Sequence, residues 1–403
     1  MNHKEEVRHL LQRICTELDE YITGNNHSGL LGGYTGVALF YAYYYQLTGD
    51  EAHQEKVYGI IEKCLEDLSE QPMEGSHCSG IAGISWCIQH LTQMGFIEAD
   101  EEADSFADID IQIAEFMHHE LSDGRNDFLH QGLGPALYLL ERLPAATAHT
   151  ELEKLVQQLE KSAISVPGGI AWRDHFSSRS QDNPDKDLFN LGLAHGTPAI
   201  IDILARCYEK GIAREVALPL IEKSIQWLLA IRQPALSGHS LFPTLVDSSN
   251  QVMGEAHSRL GWCYGDLGIA TMLWNTGKRL HRTDYQQEGR KMFQHVAQYR
   301  NVKNGAVHDA CLCHGSAGIA HLLQQAGLAT GDTLLLDASQ QWLHTTLQMN
   351  TWADGPAGFK FYHHPNYVSS HNMLEGIAGI GLSLISFADP EIKPDWGACM
   401  LMV

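Results

Sequence analysis

Gly265-Asp-Leu-Gly268, running straight into Ile269-Ala-Thr-Met-Leu-Trp274, is a Gly-rich turn that opens an almost uniformly apolar helix. The same unit recurs along the chain at Gly33-Tyr-Thr-Gly36, Gly80-Ile-Ala-Gly83, Gln131-Gly-Leu-Gly134, Gly196-Thr-Pro-Ala199, Gly315-Ser-Ala-Gly318 and Gly376-Ile-Ala-Gly379. That makes seven copies, whose final positions are spaced 47 to 69 residues apart. One such turn is weak evidence, but seven in phase are the signature of a repeat architecture. Each copy opens a helix with little charge on any face, such as Val37 to Leu47, so most of its faces are buried. Between copies the pattern changes to amphipathic helices, over about 4–22, 51–70, 105–121, 151–165, 215–231, 285–300 and 331–349. In the first, Val7, Leu10, Leu11, Ile14 and Leu18 keep the helical period while Glu5, Glu6, Arg13 and Glu17 face water.

Seven amphipathic–apolar pairs with no convincing run of strands predict an all-α fold. An open solenoid needs polar faces on its end helices. The near-absence of charge on the apolar helices favours closure instead, as a double-layered (α/α)7 toroid of seven inner and seven outer helices. The whole chain, residues 1–403, is expected to be a single domain of this kind. Glycine at each inner-helix start permits a tight turn and close packing. It also leaves the first backbone N–H groups facing a central cavity, where their positive potential favours a thiolate or a developing enolate.

With 27 basic against 49 acidic residues and a formal charge of −22, the surface repels phosphate backbones, so nucleic acid is not an expected partner. No apolar run is long enough for a membrane span, and Met1 to Arg13 lacks the apolar core of a signal peptide. A cytoplasmic location is therefore expected. The nine Cys are an odd number, which speaks against a disulfide framework. Cys15, Cys64, Cys87 and Cys207 fall in apolar helical patterns and read as buried small hydrophobes.

The residues just before each Gly turn carry the chemistry. They read Leu31-Gly32, Cys78-Ser79, His130, Ala194-His195, Cys263-Tyr264, Cys313-His314 and Leu374-Glu375. In a toroid this position is the rim of the cavity, where sequence-distant side chains converge. Cys263 and Cys313-His314 belong to successive repeats, and packed helices lie roughly 8–10 Å apart. Two thiolates and an imidazole suit zinc and leave the fourth tetrahedral position for water or substrate. Cys78 shares the phase but lies several repeats away, so it is not expected to be a ligand; Cys311 is expected to point elsewhere and stands as a minor alternative to Cys313. His118-His119-Glu120 reads as an exposed helix end, and His363-His364 beside Pro365 as a loop feature. No Walker loop, dinucleotide fingerprint or Ser-His-Asp motif is present.

Gly261-Trp-Cys-Tyr-Gly265, Cys313-His-Gly315, Gly192-Leu-Ala-His-Gly196 and the seven turns closely resemble the lanthionine synthetase C-like family, over Met1 to about Ala388. The resemblance implies a double-layered α-toroid and a zinc-dependent cyclase. Such a cyclase adds peptide Cys thiols to dehydroalanine or dehydrobutyrine, giving lanthionine or methyllanthionine rings. It implies Cys263, Cys313 and His314 as zinc ligands, His195 as general acid/base and Arg259 as a group that steadies negative charge. Tyr264 matches a cavity tyrosine, and Asp127 an acidic residue of proton handling. The implied partners are a dehydrated precursor peptide and a separate dehydratase. Gln131 and Ala199 stand where the family pattern has glycine. Other readings of a thiol-activating zinc toroid are a prenyltransferase-like enzyme, a glutathione-conjugating relative and a non-catalytic thiol-binding scaffold.

Overall fold

A computed structural model describes residues 3–24, 27–70, 73–98 and 106–403. Its amphipathic helices are Lys4–Ile22, Glu51–Glu70, Ala107–Ser122, Ala146–Ser162, Arg214–Ala230, Thr283–Tyr299 and Thr333–Gln348. These match the predicted spans within a few residues; residue 105, the expected start of the third, lies outside the described residues. The apolar helices between them are Thr35–Thr48, Ile81–Gln93, Pro135–Glu141, Thr197–Glu209, Asp266–Arg279, Ser316–Thr330 and Ile377–Ala388. In helix Lys4–Ile22 the predicted stripe Val7, Leu10, Leu11, Ile14 and Leu18 is buried, while Glu5, Glu6 and Arg13 are exposed. In helix Ile377–Ala388 every residue is buried, as an all-round apolar helix requires.

The chain forms two compact units, each assembled from separated stretches of sequence. One takes Met1–Glu74, Cys78–Ala99 and Ala306–Gly397; the other takes Gly75–His77, Asp100–Gly305 and Ala398–Val403. In the first unit, Ile377–Ala388 packs on both Lys4–Ile22 and Thr35–Thr48, so the last repeat seals against the first. Ser316–Thr330 also packs on Ile377–Ala388, and Ile81–Gln93 packs on Thr35–Thr48. Backbone hydrogen bonds join the turns of these repeats at one position. Cys313 N–H donates to Leu374 O (3.0 Å), Leu374 N–H to Leu31 O (3.0 Å) and Leu31 N–H to Cys78 O (2.9 Å). In the second unit Thr197–Glu209 packs between Pro135–Glu141 and Asp266–Arg279. There the Ala194 N–H donates to Cys263 O at 3.3 Å, the same bond between two further repeats.

The last glycine of the turn has a steric cause. A Cβ on Gly318 would lie 1.9 Å from the Leu312 carbonyl oxygen, and one on Gly379 1.9 Å from that of Met373. The chain folds back on itself too closely for any other side chain.

Between helices, the described residues form three antiparallel pairs of three-residue strands: Ile164–Val166 with Gly169–Ala171, Leu188–Asn190 with Leu245–Asp247, and Phe361–His363 with Asn366–Val368. Three residues are too few to display an alternating pattern, so sequence reading passes over them. His363 ends the first strand of the last hairpin and only His364 lies in its turn, so the expected loop feature is a strand pair with a tight turn. Among the described residues no helix is long and apolar enough to cross a membrane.

Glycine's two roles separate under mutation. Gly318→Ala should lower the unfolding free energy by about 3 kcal/mol, the scale of forced overpacking. Gly59 is exposed within helix Glu51–Glu70, and an added Cβ there meets no atom within 4 Å. Gly59→Ala should therefore raise stability, by up to about 1 kcal/mol. Denaturant midpoints of the two variants check this; equal midpoints would contradict the steric account.

Candidate active site and metal ligands

In the second unit the Gly turns gather a group of side chains around His195. Asp127 is buried and fixed first by its own backbone: Oδ1 accepts the Leu129 N–H at 3.0 Å and the His130 N–H at 2.8 Å. Gln131, standing where the family pattern has glycine, adds a bond, its Oε1 accepting the Asp127 N–H at 3.1 Å. The remaining Asp127 oxygen, Oδ2, lies 2.6 Å from His195 Nδ1. A carboxylate in this place holds the proton on Nδ1 and leaves Nε2 for chemistry. Burial opposes charge on the imidazole, but the hydrogen bond and negative charge of Asp127 outweigh it, so the His195 pKa is raised.

The imidazole is also held by rings. Phe176 stacks on it at 4.9 Å between centroids and on His130 at 5.1 Å. Tyr264 lies 5.7 Å away on another side, its hydroxyl accepting from Asn190 Nδ2 at 3.2 Å. Burial raises the Tyr264 pKa, which keeps the phenol protonated at neutral pH. Cys263 precedes Tyr264 and is buried, and the Ala194–Cys263 backbone bond sets its turn beside that of His195. Behind the Cys263 turn, the buried Arg300 Nη1 donates to Asp266 Oδ2 at 2.9 Å, and Asp266 Oδ1 accepts the Leu241 N–H at 2.7 Å. Arg259 is exposed.

The first unit carries Cys313 and His314, both buried. Their turn also contains Asp309 and Cys311. The donor atoms of Asp309, Cys311 and His314 lie within 4.8 Å of one another. Cys311 was expected to point elsewhere; instead its sulfur faces the turn and accepts the His314 N–H at 3.5 Å. The turn brings the side chain of residue 311 against the backbone N–H three residues on. Burial pushes the Cys311 thiol up to about 11. Cys78 is in the same unit, and the chain of backbone bonds from Cys313 reaches it only after Leu374 and Leu31, so two repeats' breadth separates them. All nine cysteines are buried and none is in a disulfide.

Elsewhere one expectation needs correcting. His118 is no exposed helix end: its ring nitrogens meet Gln158 Oε1 at 2.6 Å and Glu151 Oε2 at 2.7 Å, binding helix Ala107–Ser122 to helix Ala146–Ser162. Sequence reading also missed Phe176 and Asp309. Phe176 lies in a connecting segment with no periodicity to mark it. Asp309 had a signal, an acidic residue just ahead of a Cys-His-Gly turn, matching Asp127 ahead of its own turn.

Comparison with known proteins follows the same lines. The family model described as lanthionine synthetase C-like protein matches residues 25–401. The nisin biosynthesis protein NisC of Lactococcus lactis subsp. lactis is 22% identical over 347 residues, 80% of each chain. The solved structure of a nisin cyclase superposes with a TM-score of 0.78 at 20% identity, over 99% of this chain and 98% of that one. That similarity establishes the fold class as the expected all-α one.

A raised His195 pKa makes a prediction with a defined sign. Its protonation stabilises the folded chain below about pH 6.5, and this contribution is lost as pH rises through the raised value. Asp127→Asn removes the charge of Asp127, the partner that opposes burial most, so the His195 pKa should fall. Titration of the His195 ring protons by NMR checks it; an unchanged value in the variant would show that Asp127 does not control this imidazole.

Proposed function

The chain belongs to the lanthionine synthetase C-like family, and from that premise we propose that it closes thioether rings in a dehydrated peptide. The observation that carries the reading is the buried Asp127–His195 pair beside the Cys263 turn. In the reaction a peptide Cys thiol gives up its proton and its sulfur bonds to the β-carbon of dehydroalanine or dehydrobutyrine. The double-bond pair moves to the α-carbon and its carbonyl, and a proton then returns to the α-carbon, with no net redox change.

Zinc is proposed as the cofactor, with Cys263, Cys313 and His314 as ligands. Two buried thiols and a buried imidazole fit it, since soft donors favour zinc and three protein ligands leave a fourth position open. When bound, zinc supplies a lowered pKa to a thiol presented at that position. His195 Nε2 is the group that moves the proton at the α-carbon, with Asp127 holding Nδ1 and Phe176 holding the ring plane. Tyr264, anchored by Asn190, offers a phenolic O–H next to the imidazole, and Arg259 is the cation for the enolate oxygen. The chain reads as one domain, working in the cytoplasm on a precursor that a separate dehydratase has prepared. The acidic surface, formal charge −22, suits a basic peptide segment.

Metal binding and proton transfer should come apart. Purified chain should hold about one zinc, lost in Cys263→Ala, Cys313→Ala and His314→Ala and kept in Cys78→Ala. His195→Asn should keep the zinc while slowing ring formation by roughly a hundredfold or more, the scale for a positioned acid/base. Metal analysis, together with mass spectrometry of a dehydrated peptide after thiol capping, reads both. Zinc loss in His195→Asn would make His195 a ligand; a full rate with zinc retained would make it structural.

A further inference from the structure

Asp309 is a carboxylate with almost no exposure in the turn that ends in Cys313-His314. It is held from several sides. Its Oδ1 accepts the Cys311 N–H at 2.9 Å, and its Oδ2 accepts the Tyr362 N–H, from strand Phe361–His363, at 2.8 Å. The glycine after His314 makes room for it: a Cβ on Gly315 would come within 2.5 Å of Asp309 Oδ1. A buried carboxylate needs a compensating charge or donor, and His314 Nε2 stands 3.5 Å from Oδ2. The same construction holds His195. There an aspartate ahead of the Gly turn accepts the backbone N–H groups two and three residues on, whereas Asp309 takes those of Cys311 and Tyr362, and it likewise turns an oxygen to the imidazole.

We propose that Asp309 is the positioning residue of His314: it accepts the Nε2–H, fixes the tautomer and ring orientation, and so reserves Nδ1 for zinc. This rests on the reading of His314 as a zinc ligand. A histidine that gives one nitrogen to a metal commonly gives the other to a carboxylate, which orients the ring and raises its basicity. Each Asp309 oxygen already accepts one backbone N–H, and the acceptor capacity left on Oδ2 faces His314 Nε2. The strand pair Phe361–His363 and Asn366–Val368 gains a role from this, because the Tyr362 N–H fixes the carboxylate that fixes the imidazole.

The test uses the full chain, with zinc itself and cobalt(II) as probes. Zinc affinity is measured by competition with a chromogenic chelator, and cobalt-loaded protein gives a ligand-field spectrum. Asp309→Ala should bind zinc about 10- to 100-fold more weakly than the parent, the usual loss of an outer partner. Asp309→Asn, whose amide oxygen still accepts from Nε2, should lie between them. Cobalt spectra should keep the parent's band positions, since the ligand set is unchanged. Melting temperatures and circular dichroism identify a variant that fails to fold, and Asp309→Asn carries the comparison if Asp309→Ala does. Parent-like zinc affinity in both variants overturns the inference alone. Loss of a ligand from the cobalt spectrum overturns it by making Asp309 a ligand. A parent chain that takes up no zinc overturns the zinc reading, and this inference with it.

Discussion

The backbone bond from Cys313 to Leu374, continued from Leu374 to Leu31 and from Leu31 to Cys78, sets the position on which the rest depends. In each case the amide just before one Gly turn donates to the carbonyl at the same point of the following repeat. Neighbouring turns are thereby held in register, and the side chains they carry share one level. The bond from Ala194 to Cys263 does the same in the other unit, which is why His195 and Tyr264 meet although 69 residues of sequence separate the glycine turns they precede. Close return of the chain makes these bonds possible, and it is the missing Cβ of glycines such as Gly318 that allows the return.

On that frame one local device appears twice. An aspartate ahead of the turn accepts backbone N–H groups and turns an oxygen toward an imidazole. Asp127 with His195 and Asp309 with His314 follow this scheme, the first at 2.6 Å and the second at 3.5 Å. The two histidines differ in what they face. His195 is stacked on Phe176 and sits near Tyr264, a setting for moving a proton. His314 shares its turn with cysteine sulfur, a setting for a soft metal. Their pKa logic follows: Asp127 raises the imidazole of His195, and His314 helps hold Asp309 down at about 2 against the upward push of burial.

Much of this was legible in the sequence, for a physical reason. Seven helices with little charge, alternating with seven amphipathic ones, leave few ways to bury their surface, so helix spans came out within about five residues. Cys263, Cys313, His314 and His195 were visible because reactive side chains recur at one position of a repeat. What stayed hidden depends on contacts between segments with no periodicity. Phe176 and the three short strand pairs lie in connecting loops, where pattern carries no signal. Cys311 and His118 were misjudged because a tight turn and a helix–helix contact, respectively, decide where they point. The glutamine at position 131, a departure from the expected glycine, proves to support Asp127 through its own side chain.

X-ray absorption at the zinc edge of the purified chain tests the central claim, that turns in register present a soft metal site for thiol chemistry. The account predicts two sulfur neighbours at about 2.3 Å, an imidazole nitrogen at about 2.0 Å and one further light atom, with a third sulfur on adding a Cys-containing dehydrated peptide. A shell of nitrogen and oxygen without sulfur, or one closed by four protein ligands and unchanged by the peptide, would contradict it.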